Sequence, residues 1–153
     1  GLSGSDDDTD RLLEAGVLDT LLAILLSDAD GSVLKEAAWA VSNIAAGTEE
    51  QLQALLEKPG MVKQLVTIIR SDAYSAPVKK ECAWALSNAT HGGTHQIALL
   101  VAQDVLRALA QTLDMDKKMQ AVGLEALQYI LLAGEEDADE VGYNPYSKLM
   151  DAL

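Results

Sequence analysis

One nine-residue stretch occurs twice in this sequence and constrains its fold more than any other feature. It reads Lys-Glu-Ala-Ala-Trp-Ala-Val-Ser-Asn at 35–43 and Lys-Glu-Cys-Ala-Trp-Ala-Leu-Ser-Asn at 80–88. Trp39 and Trp84 lie 45 residues apart, are the only two tryptophans of the chain, and each stands four residues before an asparagine. An internal repeat of this period, rich in helix-forming residues, indicates a solenoid of stacked helical units.

On a helix with about 100° per residue, each copy has two separate faces. One face forms a core stripe: Val33, Ala37, Ala40, Val41 and Ile44 in the first copy, and Val78, Cys82, Ala85, Leu86 and Ala89 in the second. The opposite face holds Ser32, Lys35, Glu36, Trp39, Ser42, Asn43 and Ala46, and then Lys80, Glu81, Trp84, Ser87, Asn88 and His91. Stacked repeats would align these second faces into one groove.

The residue types on the groove face suit an extended basic peptide. Asn43 and Asn88 each offer a donor and an acceptor that can bond the backbone N–H and C=O of a peptide. Trp39 and Trp84 can form a slot for the methylene stem of a Lys or Arg, with a cation–π gain of about 0.5–2 kcal/mol. Glu36 and Glu81 lie where they could pair with the charged heads. The alternative is that both tryptophans only fill gaps between adjacent repeats.

The doubled segment resembles the third helices of armadillo repeats in the importin-α (karyopherin-α) family. The resemblance rests on K-E-A-A-W-A-V-S-N-I-A-A-G and K-E-C-A-W-A-L-S-N-A-T-H-G-G, and it extends over nearly the whole chain. It implies an all-α, right-handed α-solenoid of armadillo repeats. It also implies an adaptor that carries proteins with basic nuclear localisation signals and shuttles between cytoplasm and nucleus.

The resemblance further implies which site of the family this chain contains. The Trp-x-x-x-Asn ladder ends after Trp84, and an Asn-Pro-Tyr stretch at 144–146 follows the next repeat. Both features are similar to the C-terminal repeats, which form the family's minor signal-binding site. By this match the peptide-binding residues are Trp39, Asn43, Trp84 and Asn88 as the clamp, Ser42 as an accessory contact, and Glu36 and Glu81 as charge partners.

Two other partners follow from the same resemblance. The region beside the last repeats is similar to where the family meets its nuclear export receptor. The family binds importin-β through a basic N-terminal segment, which we expect to be missing here together with the early repeats.

Composition supports helices and a basic partner. Ala and Leu are abundant and Phe is absent, which favours packed helices over sheets. The net charge of −13 argues against nucleic acid as a partner. The single cysteine, Cys82, excludes an internal disulfide, and its core position indicates a buried apolar role. The longest apolar run is too short to span a membrane, so we expect no membrane partner.

We predict one solenoid domain over 1–153, with repeats at about 8–47, 48–93 and 94–134 and a partial fourth at 140–153. Residues 1–8 would be the tail of a preceding unit. The expected helix signals are Ser32 as an N-cap, Thr48 in a capping box with Glu50 or Gln51, and Pro77 in a first turn. In the third repeat, Glu125 and Tyr129 stand where the clamp residues would be, and 135–140 would be an acidic connector.

Other functions find little support in the residues. His91 and His95 have the i, i+4 spacing of metal ligands, but Gly92 and Gly93 break the helix between them, so we expect neither a metal site nor a cofactor. The stretch His-Gly-Gly at 91–93 is similar to an oxyanion loop, but no Gly-x-Ser-x-Gly nucleophile motif follows it, so we expect no enzyme. Asn88 also starts a formal glycosylation sequon, but we expect no glycosylation there, because the resemblance implies a clamp role in a cytosolic protein. A general armadillo scaffold for a folded partner, or a structural end piece, remain the alternatives to a peptide-binding adaptor.

Overall fold

The computed structural model describes residues 6–153, without the side chains of 6–8, 14, 137 and 139–141. The predicted tail at 1–8 therefore lies largely outside the described residues. All regular secondary structure in the described range is helical. The α-helices in chain order are α1 Asp6–Glu14, α2 Val17–Leu26, α3 Gly31–Ala45, α4 Glu49–Glu57, α5 Met61–Arg70, α6 Ala76–Ala89, α7 Thr94–Val101, α8 Val105–Gln111, α9 Lys117–Val141 and α10 Pro145–Asp151, with a short 3₁₀ helix at Thr112–Asp114 between α8 and α9.

Of the three predicted helix signals, two lie where the sequence places them and one does not. The Thr48 hydroxyl accepts from the Gln51 backbone N–H, and the Gln51 side chain accepts from the Thr48 backbone N–H, so the capping box is confirmed. Pro77 lies in the first turn of α6, as expected. Ser32 is not the N-cap of α3: the helix begins at Gly31, after Asp30, and the Ser32 hydroxyl donates to the Asp30 carboxylate.

The third helix of each repeat forms the centre of the stack. Helix α3 packs against α6, and α6 packs against α9, while α2 and α5 cover α3 and α6 from within their own repeats. Each third helix is therefore covered on two sides, and its buried arc is wider than one stripe. For this reason Ala38 and Ala83 are buried, and the placement of Ser42 and Ser87 on the open face is wrong. Val33, expected inside, is exposed.

Buried glutamines join successive repeats along the other helices. The Gln51 side-chain amide donates to the Asp10 carboxylate of α1, and the Gln96 amide donates to the Glu49 backbone carbonyl of α4. Gln64 of α5 donates in the same way to the carbonyl of Leu25 in α2. These bonds satisfy polar groups inside the interfaces and fix the offset of one repeat on the next.

Helix α9 continues through the segment 135–140, so the predicted acidic connector is wrong. Gly134 lies inside this helix, and Asn144 packs against it. The Asn144 amide donates to the carbonyl of Leu131 and to the Glu135 carboxylate, and a Cβ at Gly134 would overlap the Asn144 side chain. The helix ends instead at Gly142, which adopts the left-handed conformation with φ 82°.

Gly123 allows α9 to approach the end of α8. A Cβ at this position would overlap the Thr112 side chain and lie 3.1 Å from the Leu109 carbonyl oxygen. We expect Gly123→Ala to lower the free energy of unfolding by about 1–3 kcal/mol, although alanine favours helices. Gly31→Ala is the matched control, because its new methyl group would meet only the Ser75 hydroxyl at 3.8 Å. Equal stability of both variants in urea denaturation would contradict this account.

Cys82 is a buried residue of α6, as predicted. Burial, followed by the nearby Glu81 carboxylate, raises the pKa of its thiol to about 12. Because the thiolate is the reactive form, we expect alkylation at pH 8 to be on the order of 1000-fold slower in the folded protein than in urea. A similar rate in both states, followed by mass spectrometry, would show that Cys82 is accessible.

Candidate functional site

The two copies of the repeated segment lie side by side on α3 and α6. Trp39 stands near the middle of α3 with 52% of its surface exposed. Trp84 occupies the same position on α6 but is half-buried, with one part of its ring packed against the core. The helix stacking therefore places the two indoles on neighbouring third helices; that they form a slot stays a prediction.

Hydrogen bonds within the protein orient both clamp asparagines. The Asn43 Nδ2 donates to the Trp39 carbonyl within α3, at 3.1 Å, and the Asn88 Nδ2 donates across the repeat interface to the Ser42 carbonyl, at 2.9 Å. Each amide keeps a second N–H, and each Oδ1 accepts no hydrogen bond from the residues that the structure describes. The pair can therefore still offer a donor and an acceptor to a peptide backbone.

The three remaining predicted site residues differ in accessibility. Ser42 is only 7% exposed, and its hydroxyl donates to the Trp39 carbonyl at 2.6 Å. Its backbone carbonyl accepts the hydrogen bond from Asn88, and contact with a peptide stays a prediction. Glu36 is exposed and Glu81 is half-buried, one on each third helix three residues before its tryptophan.

A cavity of about 370 Å³ opens beside Asn88. Its walls come from the end of α3, the start of α4, and the matching turn between α6 and α7. The lining residues are Ala45, Ala46, Gly47, Thr48, Glu49, Leu52, Asn88, His91, Gly92, Gly93 and Gln96. Asn88 thus lines a space large enough to admit part of a peptide chain.

Contacts within the chain occupy the part of the groove between α6 and α9. The His91 ring lies against Tyr129, with centroids 4.4 Å apart, and its Nε2 is 3.7 Å from the Glu125 carboxylate. Glu125 and Tyr129 are the α9 positions that correspond to Trp84 and Asn88. The Lys118 ammonium, from the first turn of α9, lies 5.8 Å from the centroid of the Trp84 ring.

Sequence reasoning missed Lys118 and the bond from Asn88 to Ser42. The third repeat has a different spacing from the first two, so no repeat pattern marks Lys118. The link between Asn88 and Ser42 depends on helix stacking, which composition does not reveal.

Among the side chains that the structure describes, no group of three His, Cys, Asp or Glu could hold a metal ion. None of the described helices is long and apolar enough to cross a membrane.

Part of the chain is similar to armadillo repeats of known proteins. Residues 5–46 match the family described as the Armadillo/beta-catenin-like repeat. Importin subunit alpha-1a of Oryza sativa subsp. japonica is 36% identical over 65 residues, which cover 42% of this chain and 12% of that protein. The chain thus matches only about an eighth of the length of this relative.

Solved structures of designed armadillo repeat proteins share the fold. One, in complex with the peptide (KR)4, is 32% identical with a TM-score of 0.74 and covers 86% of this chain and 59% of its own. Another is 28% identical with a TM-score of 0.77 and covers 98% of this chain and 62% of its own. The predicted fold, an all-α solenoid of armadillo repeats, is confirmed.

The two predicted clamp asparagines differ in how much they contribute to the stability of the fold. Asn88 bonds a carbonyl of another repeat, whereas Asn43 bonds a carbonyl of its own helix. We expect Asn88→Ala to lower the free energy of unfolding by about 1 kcal/mol and Asn43→Ala to lower it by less than half of that. Urea denaturation followed by circular dichroism would measure both. A larger loss in Asn43→Ala would contradict the role of Asn88 between repeats.

Proposed function

We propose that this chain binds extended basic peptides across α3 and α6. Asn43 and Asn88 hold the peptide backbone, and the space between Trp39 and Trp84 receives the aliphatic stem of a Lys or Arg. Glu36 and Glu81 pair with the charged heads. The observation that carries this proposal is the exposed indole of Trp39 on a helix stacked against the one that bears Trp84, with both asparagine Oδ1 atoms left open beside them.

Charge supports a basic ligand. The chain has a net charge of −13, so a cationic peptide gains long-range attraction as it approaches. That attraction alone would not select a site, whereas the amide and indole pairs act only at contact distance. The designed armadillo repeat protein with a similar fold was solved with (KR)4, a peptide of alternating Lys and Arg.

The finer form of the proposal is an adaptor for nuclear localisation signals. Support comes from the partial similarity to importin subunit alpha-1a and from the repeated Trp-x-x-x-Asn motif. In this form the protein carries cargo between cytoplasm and nucleus, and the cargo's signal binds in a groove of the kind that forms the family's minor signal-binding site. A contact with the family's export receptor, and the absence of catalytic activity, belong to the same proposal.

One observation favours a second candidate, a scaffold for a folded protein partner. Leu124 and Leu132 of α9 are 56% and 57% exposed. Ala83, which corresponds to Leu124 on α6, is fully buried under α9. An apolar face of this kind is suited to contact another protein surface.

Trp39→Ala is the sharpest test of peptide binding, because the exposed indole contributes little to the core. We expect the parent protein to bind a fluorescent (KR)4 peptide and Trp39→Ala to bind it about tenfold more weakly. The substitution would remove the contacts of the indole with the charged head and the methylene stem of a peptide Lys or Arg. Fluorescence anisotropy at several salt concentrations would measure the affinities.

Tyr143→Ala is the matched control, since Tyr143 is an aromatic residue with 53% exposure outside α3 and α6. It should bind the peptide like the parent. Equal binding by all three proteins would mean that net charge alone attracts the peptide. Binding of an apolar or folded partner that depends on Leu124 and Leu132, without peptide binding, would favour the scaffold.

A further inference from the structure

The helix that carries Trp84 has a different neighbour on each side. Helix α6 lies between α3, which carries Trp39, and α9 of the third repeat. On the third-repeat side, the Lys118 ammonium lies 5.8 Å from the centroid of the Trp84 ring. This distance is within the range of cation–π attraction.

An ion pair holds the start of α9 in place next to this contact. The Lys80 ammonium of α6 is 2.6 Å from one carboxylate oxygen of Asp116. The other oxygen of Asp116 accepts from the Met119 backbone N–H, at 2.9 Å, and so caps α9. Asp116 is thereby engaged on both oxygens, and Lys118, two residues further on, is left to face the indole.

We propose that Lys118 is a specificity-determining residue. It excludes cationic side chains of a peptide from the side of Trp84 that borders the third repeat. This inference rests on the proposed peptide-binding function and deepens it. Lys118 already supplies the cation that a peptide Lys or Arg would otherwise place on this face. A second ammonium there would displace Lys118 or be repelled by it.

The proposal defines the peptide that fits best. A Lys or Arg is favoured between Trp39 and Trp84, whereas the residue that reaches the far side of Trp84 is favoured when it is neutral or acidic. An acidic side chain at that position could pair with Lys118 itself. A uniformly basic peptide would therefore bind less tightly than one that changes from basic to acidic at this end.

Lys118→Gln and Lys117→Gln form a matched pair of variants. Both lysines are exposed in the first turn of α9, and both changes remove one positive charge, but only Lys118 contacts the Trp84 ring. The probe is a fluorescent peptide with a central Lys-Arg pair, in which each flanking position is in turn Lys, Ala or Glu. Anisotropy would give the affinity of parent and both variants for every peptide.

We expect one flanking position to discriminate against Lys in the parent and in Lys117→Gln. Lys118→Gln should improve binding of that Lys-flanked peptide about two- to fivefold relative to the Ala-flanked one, the size of an exposed cation–π contact. It should also lose the preference for Glu at the same position.

Two results would overturn the inference, and they are distinguishable. Equal behaviour of Lys118→Gln and Lys117→Gln, with binding that still depends on Trp39, would remove the role of Lys118 and leave the proposed function standing. Failure of the parent and both variants to bind any of the basic peptides would overturn the proposed function and, with it, the inference.

Discussion

The stacking of third helices is the constraint on which the rest of this structure depends. Helix α6 is covered by α3 on one side and by α9 on the other, and the bond from Asn88 to the Ser42 carbonyl fixes α6 on α3. The same stacking buries Ala38 and Ala83 and leaves both indoles at the groove. One packing arrangement therefore determines both the stability of the solenoid and the spacing of the candidate clamp.

Asn88 connects this packing to the proposed binding. Its Nδ2 bonds across the interface between repeats, its Oδ1 accepts no hydrogen bond from the described residues, and the residue lines a cavity between the ends of α3 and α6. An amide whose orientation is fixed before binding loses less entropy when a ligand arrives. Beyond α6 the groove is filled by contacts within the chain, from Lys118 to Trp84 and from His91 to Tyr129.

Features with a local cause were predictable from the sequence. The period of the repeat, the capping box of Thr48 and Gln51, and Pro77 at the start of α6 each depend on neighbouring residues alone. Predictions of helix extent and of burial failed where residues distant in the sequence determine the packing. Gly134 lies inside α9 with the distant Asn144 packed on it, and Ser42 is buried because α6 covers α3. The roles of the seven predicted site residues stay predictions.

The most direct measurement of the central claim is an NMR titration of the ¹⁵N-labelled protein with a basic peptide. The two tryptophans give two indole N–H signals, and the side-chain amides of Asn43 and Asn88 can be assigned by substitution. We expect both indole signals and both asparagine amides to shift together and to saturate at one equivalent of peptide. Shifts that never saturate, or that spread over acidic surfaces while both indole signals stay unchanged, would contradict a binding site on α3 and α6.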